Sequence, residues 1–76
     1  MPEPSLFKSI VLNGDQPLAR FVRAGEEFGQ TASRPTVETG LARVTEADLT
    51  ETEIHGLTVP RPELEKAVAA FAAMRP

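Results

Sequence analysis

Val44-Thr45-Glu46-Ala47-Asp48-Leu49-Thr50-Glu51-Thr52-Glu53-Ile54-His55-Gly56-Leu57 is the stretch on which the fold turns. Thr45 and Asp48 have the form of a capping box with Asp in place of Glu, and Val44 and Leu49 occupy its hydrophobic-staple positions. Thr50 and Glu53 repeat the pattern as a complete T-x-x-E. Gly56 followed by Leu57 matches a helix C-terminus, where glycine takes positive φ and the next apolar residue folds back. Together these signals predict a helix over 46–55.

Downstream, Val59-Pro60-Arg61-Pro62 stops that helix, because a residue before proline is driven to extended geometry. A new helix is predicted from Pro62. Leu64, Val68, Phe71 and Met74 recur at steps of three or four. Glu63 and Glu65 suit its positive N-terminal end, and Arg75 suits its negative C-terminal end. Ala67, Ala70 and Ala73 lie beside the apolar stripe, with Ala69 and Ala72 also in the helix, so another helix has room to approach.

Upstream, residues 29–40 carry two glycines, Arg34-Pro35 and Val37 as the single large apolar residue, and read as a mobile loop. Thr36 to Thr39 offers a short strand within it. Before it, Pro17 stands where a first helical residue needs no donor. Leu18, Phe21, Val22, Gly25 and Phe28 then fall at helical spacing, predicting a helix over 17–28. Leu6 to Leu12 is read as a helical face through Leu6, Phe7, Ile10 and Val11, although its shortness and β-branched centre also fit a buried strand. Asn13-Gly14-Asp15 interrupts the chain after it, and residues 1–4 read as disordered. The fold expected is one all-α domain over 1–76, a small bundle of three to four short helices. The alternative is α+β, with a small sheet from 6–12 and 36–44.

A chain of 76 residues buries only about 60% of its unfolded surface, so its stability is narrow. It has no cysteine and one histidine, which removes disulfides and the usual zinc ligands. Association with another protein or with itself is the remaining source of buried area. The formal charge of −3 argues against nucleic acid, whose binding draws on clustered Lys and Arg. No apolar run is long enough for a membrane span, and the N-terminus lacks a basic leader. Cytoplasmic residence is expected. The excess of Arg over Lys and the abundance of Ala match the bias of GC-rich bacterial genomes.

The chemical candidates are few. His55 is the single histidine, the residue type on which acid–base or transition-metal chemistry would have to rest, and Glu51 lies four residues before it, which on a helix gives two metal ligands where three or four are needed. Ser5, Ser9 and Ser33 lack the turn of a catalytic nucleophile. The glycines form no phosphate loop, so neither cofactor nor metal is implied. The predicted helices flanking Gly56 have the rough layout of a helix-turn-helix regulator, but acidic Glu63 and Glu65 would open its recognition helix. The expectation is a non-catalytic interaction or regulatory module. Its partner-binding residues are Glu46, Asp48, Glu51 and Glu53, as an acidic face for a basic partner, with Phe71 and Met74 as apolar anchors.

Overall fold

A computed structural model describes residues 6–23 and 29–74. The elements run β1 (Phe7–Asn13), β2 (Gln16–Phe21), β3 (Gln30–Ser33), α1 (Arg34–Glu46), β4 (Glu51–Ile54), β5 (Leu57–Pro60) and α2 (Arg61–Ala73). The architecture is α+β and corrects the all-α expectation. Antiparallel strands β1-β2-β3 form one sheet and the β4-β5 hairpin forms a second. The α+β alternative is right in its class and in the strand at 6–12, but 36–44 lies in α1 and forms no strand. The expected disorder of 1–4, residues 24–28 of the expected 17–28 helix and Arg75 lie outside the described residues.

Strand β1 resembles a helix in sequence because of a bulge. Its register with β2 shifts between Phe7 and Ser9, so that Phe7 faces Phe21 and Ser9 faces Arg20. One extra residue turns the strand period of two into a local step of three, and Phe7 and Ile10 consequently share the core-facing side. The turn to β2 is the two residues Gly14 and Asp15. In β2 the period is clean, since Ala19 and Phe21 are fully buried on either side of half-buried Arg20. Ala19 is too small to register as a core position, which left Leu18, Phe21 and Val22 to imitate a helix. Pro17 pairs with Leu12. Counting from the closing pair Asn13–Gln16, that is a pair without ladder bonds between the strands, where a missing N–H costs nothing.

The predicted loop over 29–40 contains the start of α1. Ser33 is its N-cap residue, with Pro35 in the first turn, and the Ser33 hydroxyl meets that of Thr36 at 3.0 Å. Val37, Gly40 and Val44 are its buried residues, and Leu41 packs against the same core. The spacing is helical, but Gly40 occupies a core position without an apolar side chain to reveal it. The packing there is close: a Cβ would lie 3.3 Å from Thr52 Cγ2, 3.5 Å from Ile54 Cδ1 and 3.8 Å from Leu64 Cδ2, so a larger side chain must displace the hairpin. Strand β4 thus rests directly on the α1 backbone. Gly40→Leu is expected to lift it, at a cost of roughly 1–3 kcal/mol, measurable as a lower urea midpoint.

The decisive stretch 44–57 ends one helix and forms a hairpin. Leu49 N–H donates to Val44 O at 2.8 Å and Asp48 N–H to Thr45 O at 3.4 Å, while Asp48 takes φ 56. This is a Schellman stop with Asp in the left-handed position. A staple at a helix start and the apolar pair at a Schellman end both join residues five apart, so Val44 and Leu49 carry the same signature for opposite events. Asp48→Gly removes the left-handed penalty and is expected to stabilise the fold by about 0.5–1 kcal/mol, read from thermal unfolding. Beyond it, Ile54 pairs with Leu57 across a turn in which His55 has φ 49 and Gly56 φ 83. Two positive φ values define the tight hairpin turn that matches strand twist. Gly56 does adopt the positive φ read from the sequence, but it ends a strand rather than a helix.

Both helices cover one face of the three-stranded sheet, α2 against β1 and α1 against β2 and β3, and they pack on each other. The core joins Ala19, Phe21, Ala32, Val37, Val44, Ile54, Leu57, Val59, Leu64, Ala67 and Phe71. The helix predicted from Pro62 is present as α2. Glu63, in its first turn, is 8% exposed. Its Oε1 accepts the Phe7 N–H at 2.8 Å and its Oε2 meets Lys66 Nζ at 3.1 Å. This carboxylate ties the C-terminal helix to the first strand.

Candidate interaction surface

The four acidic residues divide between two elements. Glu46 closes α1 and Asp48 is the pivot of its stop, both exposed. Glu51 and Glu53 are exposed on β4, alternating with half-buried Thr52 and buried Ile54. Strand alternation therefore puts Glu51 and Glu53 on the outer face of the hairpin, opposite Pro60 and Thr58 rather than a basic residue. The helical pairing of Glu51 with His55 is lost. Four residues of extended chain span about 13 Å, against one turn in a helix, and His55 projects from the turn. No group of three or more metal-ligating side chains occurs among the described residues. The helix-turn-helix layout is likewise not formed, since 51–60 pairs as a hairpin.

A groove of about 350 Å³ runs between α1 and β4, lined by Thr36, Thr39 and Arg43 on the helix and by residues 52–55 of the hairpin, with the outward-facing Glu53 at its border. Gly40 also lines it. No hydrogen bond or ion pair joins Arg43, Glu53 and His55 to one another. The arrangement brings together mixed charges and hydroxyls on an open wall, without a nucleophile held against a base.

The anchors separate in the same way. Phe71 is 3% exposed and belongs to the core, whereas Met74, at the α2 C-cap, is 43% exposed. Leu49 is 46% exposed and is accounted for by the Schellman pair with Val44. Leu12 is the most exposed large apolar side chain among the described residues, at 67%.

Leu12 is exposed on an unexpected side. Alternation from Ile10, whose partner Ala19 is fully buried, places Leu12 on the core-facing side of β1. It is left uncovered at the turn end of an edge strand. Counting the ladder from Asn13–Gln16, the backbone groups of Val11 and Ser9 turn toward β2, and those of Ile10 and Leu12 turn outward. Among the described residues no hydrogen bond uses the outward groups of Ile10 or Leu12. At the other end the edge is managed: Lys8 sits at the bulge and Glu63 takes the Phe7 N–H, both recognised ways of blunting a strand edge. This open edge was missed in the sequence, although two apolar runs flanking Asn13-Gly14-Asp15-Gln16 are a hairpin signal.

No helix among the described residues is long and apolar enough to cross a membrane. Comparison with known families, curated proteins and solved structures gave no match.

Proposed function

We propose that the chain is a non-catalytic protein-interaction module that engages its partner through the open half of strand β1. The observation that carries this reading is Leu12, 67% exposed on the core-facing side of an edge strand whose Ile10 and Leu12 backbone groups point outward. An added strand takes its affinity from main-chain bonds and its specificity from alternate side chains. Here those side chains are Ile10 and Leu12. The acidic residues Glu46, Asp48, Glu51 and Glu53 then act as long-range selectors, since a field of one sign speeds encounter with a basic partner and rejects an acidic one.

A second reading, nucleic-acid binding, is favoured by one observation: the three strands of the larger sheet contain Lys8 and Arg20 and no Asp or Glu. Two cations fall short of the several phosphate contacts that give a strong salt dependence, so the protein reading is preferred. The test is capture from the native host with the wild type and with Leu12→Lys, alongside a salt titration with mixed duplex. A protein retained by the wild type and lost by a folded Leu12→Lys variant supports the module. Capture indifferent to Leu12, or duplex binding at low salt that Arg20→Ala abolishes, overturns it.

A further inference from the structure

We infer that the strand received by the β1 edge is β1 of a second copy, paired antiparallel about a two-fold axis at Val11; this rests on the edge-binding reading above and names its partner. The register follows from the ladder. Ile10 and Leu12 present their N–H and C=O outward, so a strand related by a two-fold at Val11 sets Ile10 opposite Leu12 of the partner subunit, and the reverse, with four main-chain bonds. Leu12, 67% exposed in one copy, then lies beside Ile10 of the partner subunit. Slipping the partner strand by one residue would set outward-turned groups opposite inward-turned ones and lose these bonds, whereas an axis at Leu12 would leave Ile10 opposite Gly14 of the partner subunit and an axis at Ile10 would set Leu12 opposite Lys8 of the partner subunit, so the axis at Val11 is the one that pairs the two apolar side chains.

Charge agrees with this register. Its next pairs are Ser9 with Asn13 of the partner subunit and Lys8 with Gly14 of the partner subunit, which brings exposed Lys8 beside exposed Asp15 of the partner subunit at each end. No like charges are opposed. The pairing stops where the bulge begins and Glu63 covers Phe7.

The helical layer supplies the remaining area. A stable interface takes about 800 Å² from each partner, which is about 15% of the 5193 Å² surface of the chain and more than one short strand provides. Glu63, Lys66, Ala70 and Ala73 follow one another at three- and four-residue steps, so they form one row on α2. Glu63 in that row reaches Phe7, and the row therefore borders the β1 edge. The two-fold brings α2 alongside α2 of the partner subunit, where Ala70 and Ala73 permit close approach and exposed Met74 finds apolar cover. The product is a continuous six-stranded sheet with four helices on one face.

Cysteine scanning tests the axis, because the chain has no cysteine of its own. Residues facing themselves in a pair without ladder bonds lie about 4.5 Å apart at Cα, within disulfide range. Val11→Cys should oxidise to a covalent dimer at least tenfold faster than Leu49→Cys. The wild type should sediment as a dimer, and Leu12→Lys as a monomer with unchanged circular dichroism. Lys8→Glu should weaken the dimer at least threefold, and adding Asp15→Lys should restore it. A wild type that stays monomeric at high concentration overturns the inference, as does Val11→Cys cross-linking no faster than Leu49→Cys. If the monomer nonetheless captures another protein that Leu12→Lys releases, self-pairing falls while the edge-binding module stands. A Leu12→Lys variant that fails to fold leaves the Val11→Cys comparison to decide.

Discussion

Phe71→Ala is expected to cost about 3–5 kcal/mol, the usual penalty for emptying a buried aromatic site. A domain of 76 residues has a total stability of roughly 4–11 kcal/mol, so the variant should lose from about a quarter of that stability to all of it. The reason is position. Phe71 is 3% exposed and shares the core with fully buried Leu64 and Ala67 on the same helix and with Phe21 on the sheet. Urea denaturation followed by circular dichroism reads the loss, and Met74→Ala is the comparison. Met74 is 43% exposed and should move the midpoint little. Equal midpoints for Phe71→Ala and the wild type would remove Phe71 from the core and return it to the surface role suggested by the sequence.

Glu63→Ala should cost about 2–3 kcal/mol for a different reason. A hydrogen bond to a charged group contributes about 1.5–3 kcal/mol, and deleting the acceptor also strips the Phe7 N–H of the oxygen at 2.8 Å. Glu63→Gln keeps an acceptor for that N–H and gives up the charge that pairs with Lys66. The Lys66 side chain is 53% exposed, which limits the pair to at most about 1 kcal/mol. Thermal unfolding should therefore rank wild type, Glu63→Gln and Glu63→Ala in that order, with glutamine recovering more than half of the loss. A glutamine variant as unstable as alanine would shift the weight from the Phe7 bond to the charge.

The legibility of this fold in sequence depended on how far each signal is specific to one structure. Helix α2 was readable because Leu64, Val68 and Phe71 repeat over several turns after a proline pair, a pattern that a strand cannot imitate. The strands were not, because each contains a feature that converts period two into a step of three: the bulge at Lys8 in β1, the undersized Ala19 in β2, and the two-residue turn separating Ile54 from Leu57. Helix α1 was hidden by Gly40, which keeps the spacing but contributes no apolar side chain. Val44 and Leu49 misled most, since their separation serves a helix start and a helix stop equally. Of the candidate surface, the acids were expected together on one helix and instead divide between the end of α1 and strand β4. Leu12 was not legible, because its exposure arises from where the helices end over the sheet, a relation between elements distant in the chain.

The Glu63–Phe7 bond also has a consequence during translation. Its partners are separated by 56 residues, and at about 5–20 residues per second the ribosome takes roughly 3–11 s to deliver the second after the first. Throughout that interval the β1–β2 hairpin can form locally, yet neither the carboxylate that blunts one end of β1 nor the helix that covers its inner side has been made. The nascent chain thus displays its whole first strand, including Phe7 and Ile10, to neighbouring chains on the same message until its last third has been synthesised.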